Sequence, residues 1–264
     1  MSCEQCVQGN VMGGEPEGTM IDGAYFHEGP NKKFAIILLT DIFGLPLVNN
    51  KLLTDRFSKE LQCDVWAPHY FNAGDPIFRA EELEPLIPKK AGESISLLNK
   101  LRFLGKAITR LHRFWANRSS VVDPIVDSFI AKVRDQEKYE KVGVVGYCFG
   151  GSAGIRLGSR GLVDSLVICH PGRCTVDEIA GIKVPTSWVC AQEDMTFSDS
   201  LREQAEKVFA ARKDKPDFID YEFKVHAETQ HGFAARPDLS LPEIVKAHEE
   251  AFTQSKNWFE KTLA

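Results

Sequence analysis

No stretch of the 264-residue sequence approaches the roughly 20 consecutive apolar residues that a membrane-spanning helix needs, so no membrane is expected as a partner. The polar first residues also lack the apolar centre of a secretory signal. Positive charge is not in excess. With 32 Lys and Arg against 37 Asp and Glu, the formal net charge is -5, which leaves no basic footprint for nucleic acid. Cysteine occurs seven times, at positions 3, 6, 63, 148, 169, 174 and 190, an odd and scattered set that does not read as a disulfide framework. Cys3-Glu-Gln-Cys6 has the CxxC spacing, but no second CxxC and no nearby histidine completes a zinc site, so no metal is expected. Reduced thiols without an export signal lead us to expect a cytoplasmic protein. Internal repeats and linkers are missing too. Residues 1–264 therefore read as one domain, with the glycine-rich, polar residues 1–18 as an extended arm.

What is present suits a layered α/β fold. Hydrophobic residues make up 43% of the chain and charged ones 26%, ordinary for a protein that buries a core. Residues Thr19 to Glu28 alternate weakly and predict an antiparallel hairpin. Phe34 to Thr40 is a continuous apolar run, the mark of a strand buried on both faces of a parallel sheet. Helix-period residues then run from Asn49 to Leu61, followed by a strand at Asp64 to Pro68. About 70 residues separate that strand from the next, too many for a simple crossover. Two helices are predicted there. The first spans Glu93 to Trp115, with Leu97, Leu101, Leu104, Ile108, Leu111 and Trp115 at helical spacing. The second is opened by Asp123-Pro124, a cap followed by proline at the first helical position. The surplus, His69 to Lys90, holds several prolines and three aromatics expected to be exposed, Tyr70, Phe71 and Phe78; it reads as a pocket-shaping loop. Three further apolar runs, Ser165–Cys169, Thr186–Cys190 and Tyr221–Val225, predict strands. Ser200 with Glu203, and Ser240 with Glu243, have the spacing of helix-opening capping boxes. Strands alternating with helices predict an α/β fold with a mostly parallel, doubly wound sheet flanked by helices.

One stretch carries chemistry. The β-branched run Val142 to Val145 is followed at once by Gly146-Tyr147-Cys148-Phe149-Gly150-Gly151 and then by small, helix-compatible residues. This reads as a buried strand turning sharply into a helix with Cys148 at the apex, the G-x-S-x-G nucleophile elbow with cysteine in place of serine. Such a turn holds its apex residue at positive φ and crowds the positions two before and two after it, where Gly146 and Gly150 carry no Cβ. The bland alternative is a glycine-rich turn around a small buried cysteine. Partners downstream favour the functional reading. Ligands of doubly wound sheets sit beyond the carboxyl ends of the strands. There the chain offers Glu193-Asp194 after one strand and Gln230-His231-Gly232-Phe233 after the next. Asp194 competes with Glu193 for the role of the acid and is preferred. The chain order nucleophile, acid, histidine is that of the α/β-hydrolase triad.

Asp41-Ile-Phe-Gly44, Gly146-Tyr-Cys-Phe-Gly-Gly151, Gln192-Glu-Asp194 and His231-Gly-Phe233 together resemble the dienelactone hydrolase family of α/β hydrolases, from about residue 20 to the end. The resemblance implies a Cys148–His231–Asp194 triad acting on lactones or related carboxylic esters, with no cofactor. It also implies an oxyanion hole made by the N–H groups of Ile42 and Phe149. Typical bacterial members carry glutamate where this chain has Asp41, and that carboxylate contacts the resting thiol. Aspartate, one methylene shorter, is expected to leave that contact absent or bridged by water. Those members also carry a substrate-binding arginine four residues after the histidine; here Ala235 occupies that place and Arg236 follows it.

Cysteine at a helix N-terminus beside a histidine is expected to ionise readily. The implied reaction is therefore thiolate attack on an ester carbonyl, a thioester acyl-enzyme, and hydrolysis of that thioester. The implied partner is a small-molecule ester or lactone, and nothing in the sequence fixes an oligomeric state. A broad-specificity carboxylesterase or thioesterase is the second reading, since one fold hosts many substrates. A thiol-based redox or binding protein is the third.

Overall fold

The computed structural model of the chain describes residues 11–72 and 76–264. Cys3, Cys6 and most of the expected arm lie outside them. Residues 11–18 carry no helix or strand and are tied to the first helix. Met12 N–H donates to Asn49 Oδ1 (2.9 Å) and Glu17 N–H to Asp55 Oδ2 (2.8 Å).

Eight strands form one sheet: β1 (Thr19–Ile21), β2 (Ala24–His27), β3 (Asn31–Leu39), β4 (Cys63–Pro68), β5 (Lys141–Tyr147), β6 (Ser165–Cys169), β7 (Thr186–Glu193) and β8 (Tyr221–Gln230). Their order is β1-β2-β4-β3-β5-β6-β7-β8. The hairpin β1–β2 and the pair β2–β4 are antiparallel; every later pairing is parallel. The continuous apolar runs occupy the centre, where both faces of a strand are covered. Alternate residues of β5 serve opposite faces. Val142 and Val144 belong to one core with helices α5 (Ser119–Glu137), α6 (Phe149–Arg160) and α8 (Asp199–Ala210). Val145 and Tyr147 belong to the other, with α1 (Val48–Leu61) and α9 (Pro242–Leu263). Each large apolar side chain fully buried in these layers contributes about 1.5–3 kcal/mol. The mostly parallel α/β sheet flanked by helices is thus the observed architecture, and the carboxyl ends of β3, β5, β6, β7 and β8 line up along one edge.

Several boundaries differ from expectation. The long helix predicted from Glu93 starts later and is two pieces, α3 (Leu97–Thr109) and α4 (Leu111–Ala116). Ser96 caps the first by accepting from Asn99 N–H (3.2 Å). At Arg110 the ladder is shared, its N–H reaching both Lys106 O and Ala107 O, and Phe114 N–H returns to Arg110 O. The apolar stripe of this helix pair faces outward, not into a core. Helix α5 begins at Ser119, so Pro124 lies inside it; Asp123 caps nothing and instead forms a bidentate pair with Arg156 of α6 (2.8 Å each). The cap of α8 is Ser198, not Ser200. Ser240 does not cap α9, because its hydroxyl and N–H are taken by Asp238 (2.6 and 2.9 Å). The loop after β4 contains α2 (Ala80–Leu83) and a 3-10 turn (Glu84–Leu86), and Tyr70, Phe71 and Phe78 are buried in it rather than exposed. A short helix α7 (Val176–Ala180), opened by a Thr175–Glu178 capping box, was not anticipated.

Candidate active site

The turn from β5 into α6 is as tight as its composition demands. Cys148 sits at φ 52 and ψ -110, in the sparsely allowed region that an L-residue occupies only when its surroundings force it there. A Cβ on Gly146 would lie 2.4 Å from Gly150 O, and one on Gly150 only 2.1 Å from Leu39 O. Both contacts are with backbone that cannot yield, so only glycine fits. Phe149 occupies the first position of α6, where a helix leaves its N–H without an internal acceptor.

His231 follows β8 in a turn that Gly232 completes at φ 98. Its Nε2 lies 3.0 Å from Cys148 Sγ, and its Nδ1 lies 3.0 Å from each oxygen of Asp194. Asp194 follows β7 and its side chain is only 2% exposed. Its Oδ1 also accepts from Thr196 N–H (2.8 Å), Thr196 Oγ1 (2.8 Å) and Phe197 N–H (3.0 Å). Burial opposes ionisation of Asp194, but the positive imidazole and these donors hold its carboxyl at about 2. Burial likewise works against a charged His231. The neighbouring Cys148 sulfur and the Asp194 carboxylate outweigh it and push the imidazole up to about 10. Residues that lie 37 and 83 positions apart in the chain therefore meet as one hydrogen-bonded row. Glu193, the competing acid, points elsewhere and accepts Gly92 N–H (3.0 Å).

The loop after β3 is anchored by Asp41. Its buried carboxylate accepts from Phe43 N–H (3.1 Å), from Asn50 Nδ2 (3.4 Å) and from Arg236 Nε (3.0 Å). Arg236 is 6% exposed and its guanidinium lies over the Phe43 ring, 4.6 Å from the centroid. Its Nε is paired with Asp41, while its buried Nη1 has no hydrogen-bond partner among the described residues. Within the same loop Ile42 O accepts from Ile77 and Phe78 N–H (3.0 and 3.3 Å), which fixes the peptide beside the elbow. Tyr70, Phe71 and Phe149 stack next to it, Phe71 and Phe149 at 5.5 Å between centroids.

Three features escaped sequence reasoning. Thr196 completes the surroundings of Asp194; the Asp-x-Thr spacing, which favours local side-chain-to-backbone bonds, was the available signal. A strap at residues 89–93 crosses the strand ends: Ala91 N–H donates to Glu228 O (2.9 Å), Gln230 Nε2 to Lys90 O (2.8 Å), and Lys89 pairs with Asp238 (2.6 Å). His170, just past β6, is fully buried at φ 34 in edge-to-face contact with His231, 5.2 Å between ring centroids. Burial, reinforced by the charge on His231, holds its imidazole neutral. Its place after a central strand was the signal. Among the described residues no group of three or more His, Cys, Asp or Glu side chains is arranged to hold a metal ion. Among them, too, no helix is long and apolar enough to cross a membrane.

Comparison with known proteins agrees with this architecture. A hydrolase named pyvD, from Aspergillus violaceofuscus, is 29% identical over 98% of this chain and 96% of its own length. Dienlactone hydrolase 1 of Gibberella moniliformis is 24% identical over 98% of this chain and 93% of its own length. Among solved structures, a putative dienelactone hydrolase from Klebsiella pneumoniae superposes with a TM-score of 0.62 at 15% identity, covering 90% of this chain and 92% of that one. The sequence matches the dienelactone hydrolase family over residues 21–263, with Cys148, Asp194 and His231 inside the matched span. The chain belongs to the dienelactone hydrolase family.

Proposed function

We propose that the protein hydrolyses lactones or related carboxylic esters with Cys148 as nucleophile, His231 as general base and acid, and Asp194 as the group that orients and charges His231. The observation that carries this reading is the unbroken row from Sγ through Nε2 and Nδ1 to the carboxylate, each step 3.0 Å. As Sγ attacks, the thiol proton passes to Nε2, leaving a thiolate beside an imidazolium. The thiolate adds to the ester carbonyl, and the oxygen becomes an anion beside the N–H groups of Ile42 and Phe149. Collapse breaks the carbon–oxygen bond. His231 gives its Nε2 proton to the departing alkoxide or enolate and leaves a thioester on Cys148. Water then attacks, its proton passing to Nε2, and the second tetrahedral species expels the thiolate. A thiolate is itself readily expelled, so good leaving groups such as enols suit this nucleophile best.

The substrate's remainder meets the half-buried Phe149 ring beside the elbow. Replacing Cys148 with alanine should reduce hydrolysis of p-nitrophenyl acetate and of an enol lactone to the uncatalysed rate, with the circular dichroism spectrum unchanged. Mass spectrometry of the wild type under turnover should show an acyl group on the Cys148 peptide. Turnover by the alanine variant would remove the proposal. Oxidation of Cys148 by peroxide, with no acyl adduct from any ester, would favour a redox protein instead.

A further inference from the structure

Leu97, Leu101, Leu104, Ile108, Leu111 and Trp115 of α3 and α4 are spaced by alternating steps of four and three, the a/d pattern of a coiled-coil seam. All six point to solvent. Leu97 is 74% exposed, Trp115 is 69% exposed, and the four between them lie at 54–60%. Leu98 and Phe114 extend the same surface. Monomeric proteins rarely leave contiguous apolar patches larger than a few hundred Å². At roughly 100 Å² per side chain, these eight present about 800 Å², the area that one partner contributes to a standard stable interface.

Part of the remaining surface of the helix pair is engaged with the body of the protein. Phe103 packs against the core, Arg110 pairs with Glu82, and Arg113 Nη1 donates to Pro76 O (2.7 Å). The helix pair is thus tied to the body of the protein with its apolar seam outward. The stripe is narrow, as in a helix–helix seam, and three of the five Lys and Arg on these helices (Lys106, Arg110 and Arg113) are turned partly away from solvent.

We propose that the occupant is a second copy of this chain, with α3 and α4 of the two copies packed antiparallel across a two-fold axis near Lys106. In that register Leu104 meets the partner's Ile108, Leu101 the partner's Leu111, and Leu97 the partner's Trp115. Each contact is made twice, as a two-fold interface requires. The pattern is self-complementary beyond the seam. Gly105 and Ala107, which flank the axis, are small and let the backbones approach. Lys100 falls opposite the partner's Phe114 and Leu98 opposite the partner's His112, so no two formal charges of one sign are opposed.

Sedimentation velocity on the full chain at about 10 μM should give twice the 29.5 kDa chain mass. Leu104→Glu/Ile108→Glu, at two exposed positions, should raise the dimer dissociation constant about a hundredfold or more while thermal unfolding and esterase activity per chain stay unchanged. A Leu104→Cys/Ile108→Cys variant should form disulfide-linked dimers under mild oxidant. Leu97→Cys should not, because its two copies lie at opposite ends of the seam, roughly 27 Å apart at 1.5 Å per residue. A wild type that remains monomeric at 100 μM, or a dimer that survives the double glutamate substitution, overturns the proposal. So does a monomer that binds phosphatidylserine vesicles through this stripe, which would make a lipid surface the occupant.

Discussion

Asp194→Asn is the sharpest probe of the site, because asparagine keeps the shape of aspartate and changes only charge and one donor. Its carbonyl oxygen can still accept from Thr196 N–H and Phe197 N–H, the bonds that hold Asp194 in place. Its amide group then faces Nδ1 of His231 and donates to it. The imidazole is forced to carry its proton on Nε2, pointing at Cys148 Sγ 3.0 Å away, where it cannot accept the thiol proton. The charge that helps push His231 up to about 10 is lost as well, so its titration moves down. In triads of this geometry the wrong tautomer costs about 10⁴ in kcat, or about 5.4 kcal/mol at 1.36 kcal/mol per decade. The assay is kcat/KM for p-nitrophenyl acetate from pH 5 to 11, alongside the rate of iodoacetamide alkylation of Cys148. We expect a loss of about three to four decades in turnover and slower alkylation at neutral pH. A loss below tenfold with an unmoved pH profile would refute the role given to the carboxylate.

Other outcomes are equally specific. Iodoacetamide at pH 7 should label Cys148 ahead of the other described thiols, since burial pushes Cys174 and Cys190 up to about 12 and Cys63 and Cys169 higher still; peptide mapping in which Cys174 led would contradict this. Stability should follow the two shifted groups. Asp194, lowered from 3.8 to about 2, contributes fully above about pH 4, and its contribution is lost as pH falls through 2. His231, raised from 6.5 to about 10, contributes fully below about pH 6.5, and its contribution is lost as pH rises through 10. Thermal unfolding should therefore weaken on both sides of that window, and the alkaline limb should flatten in Cys148→Ala; midpoints that climb between pH 7 and 10 would count against the Cys148–His231 pairing. Arg236→Met should cost about 3–5 kcal/mol by stranding the buried Asp41 carboxylate, and adding Asp41→Asn should restore part of it in a denaturant melt.

The elbow was readable because its constraint is local: two backbone approaches under 2.5 Å admit only glycine, and the sequence must carry them at fixed spacing. The parallel strands announced themselves as uninterrupted apolar runs, and the positions of Asp194 and His231 followed from where such strands end. Periodicity marked residues 97–115 as helical but is blind to which way a stripe faces, and here it faces water. Tyr70, Phe71 and Phe78 looked exposed beside prolines, yet the loop folds them under itself. The pairing of Arg236 with Asp41, 195 residues away, is one that no local pattern encodes. Cap signals failed where a better-placed neighbour, Ser198, or a competing bond, Asp238 to Ser240, took the role.

The twisted backbone at Cys148 also acts as a filter on what evolution can install there. At φ 52 a β-branched residue would press its second γ atom against the chain, so threonine and valine are shut out on steric grounds alone. Only short unbranched side chains pass, and of these a thiol and a primary hydroxyl bring a nucleophile to the same spot. Swapping sulfur for oxygen at this apex thus costs the scaffold little, since both side chains pass the same steric filter.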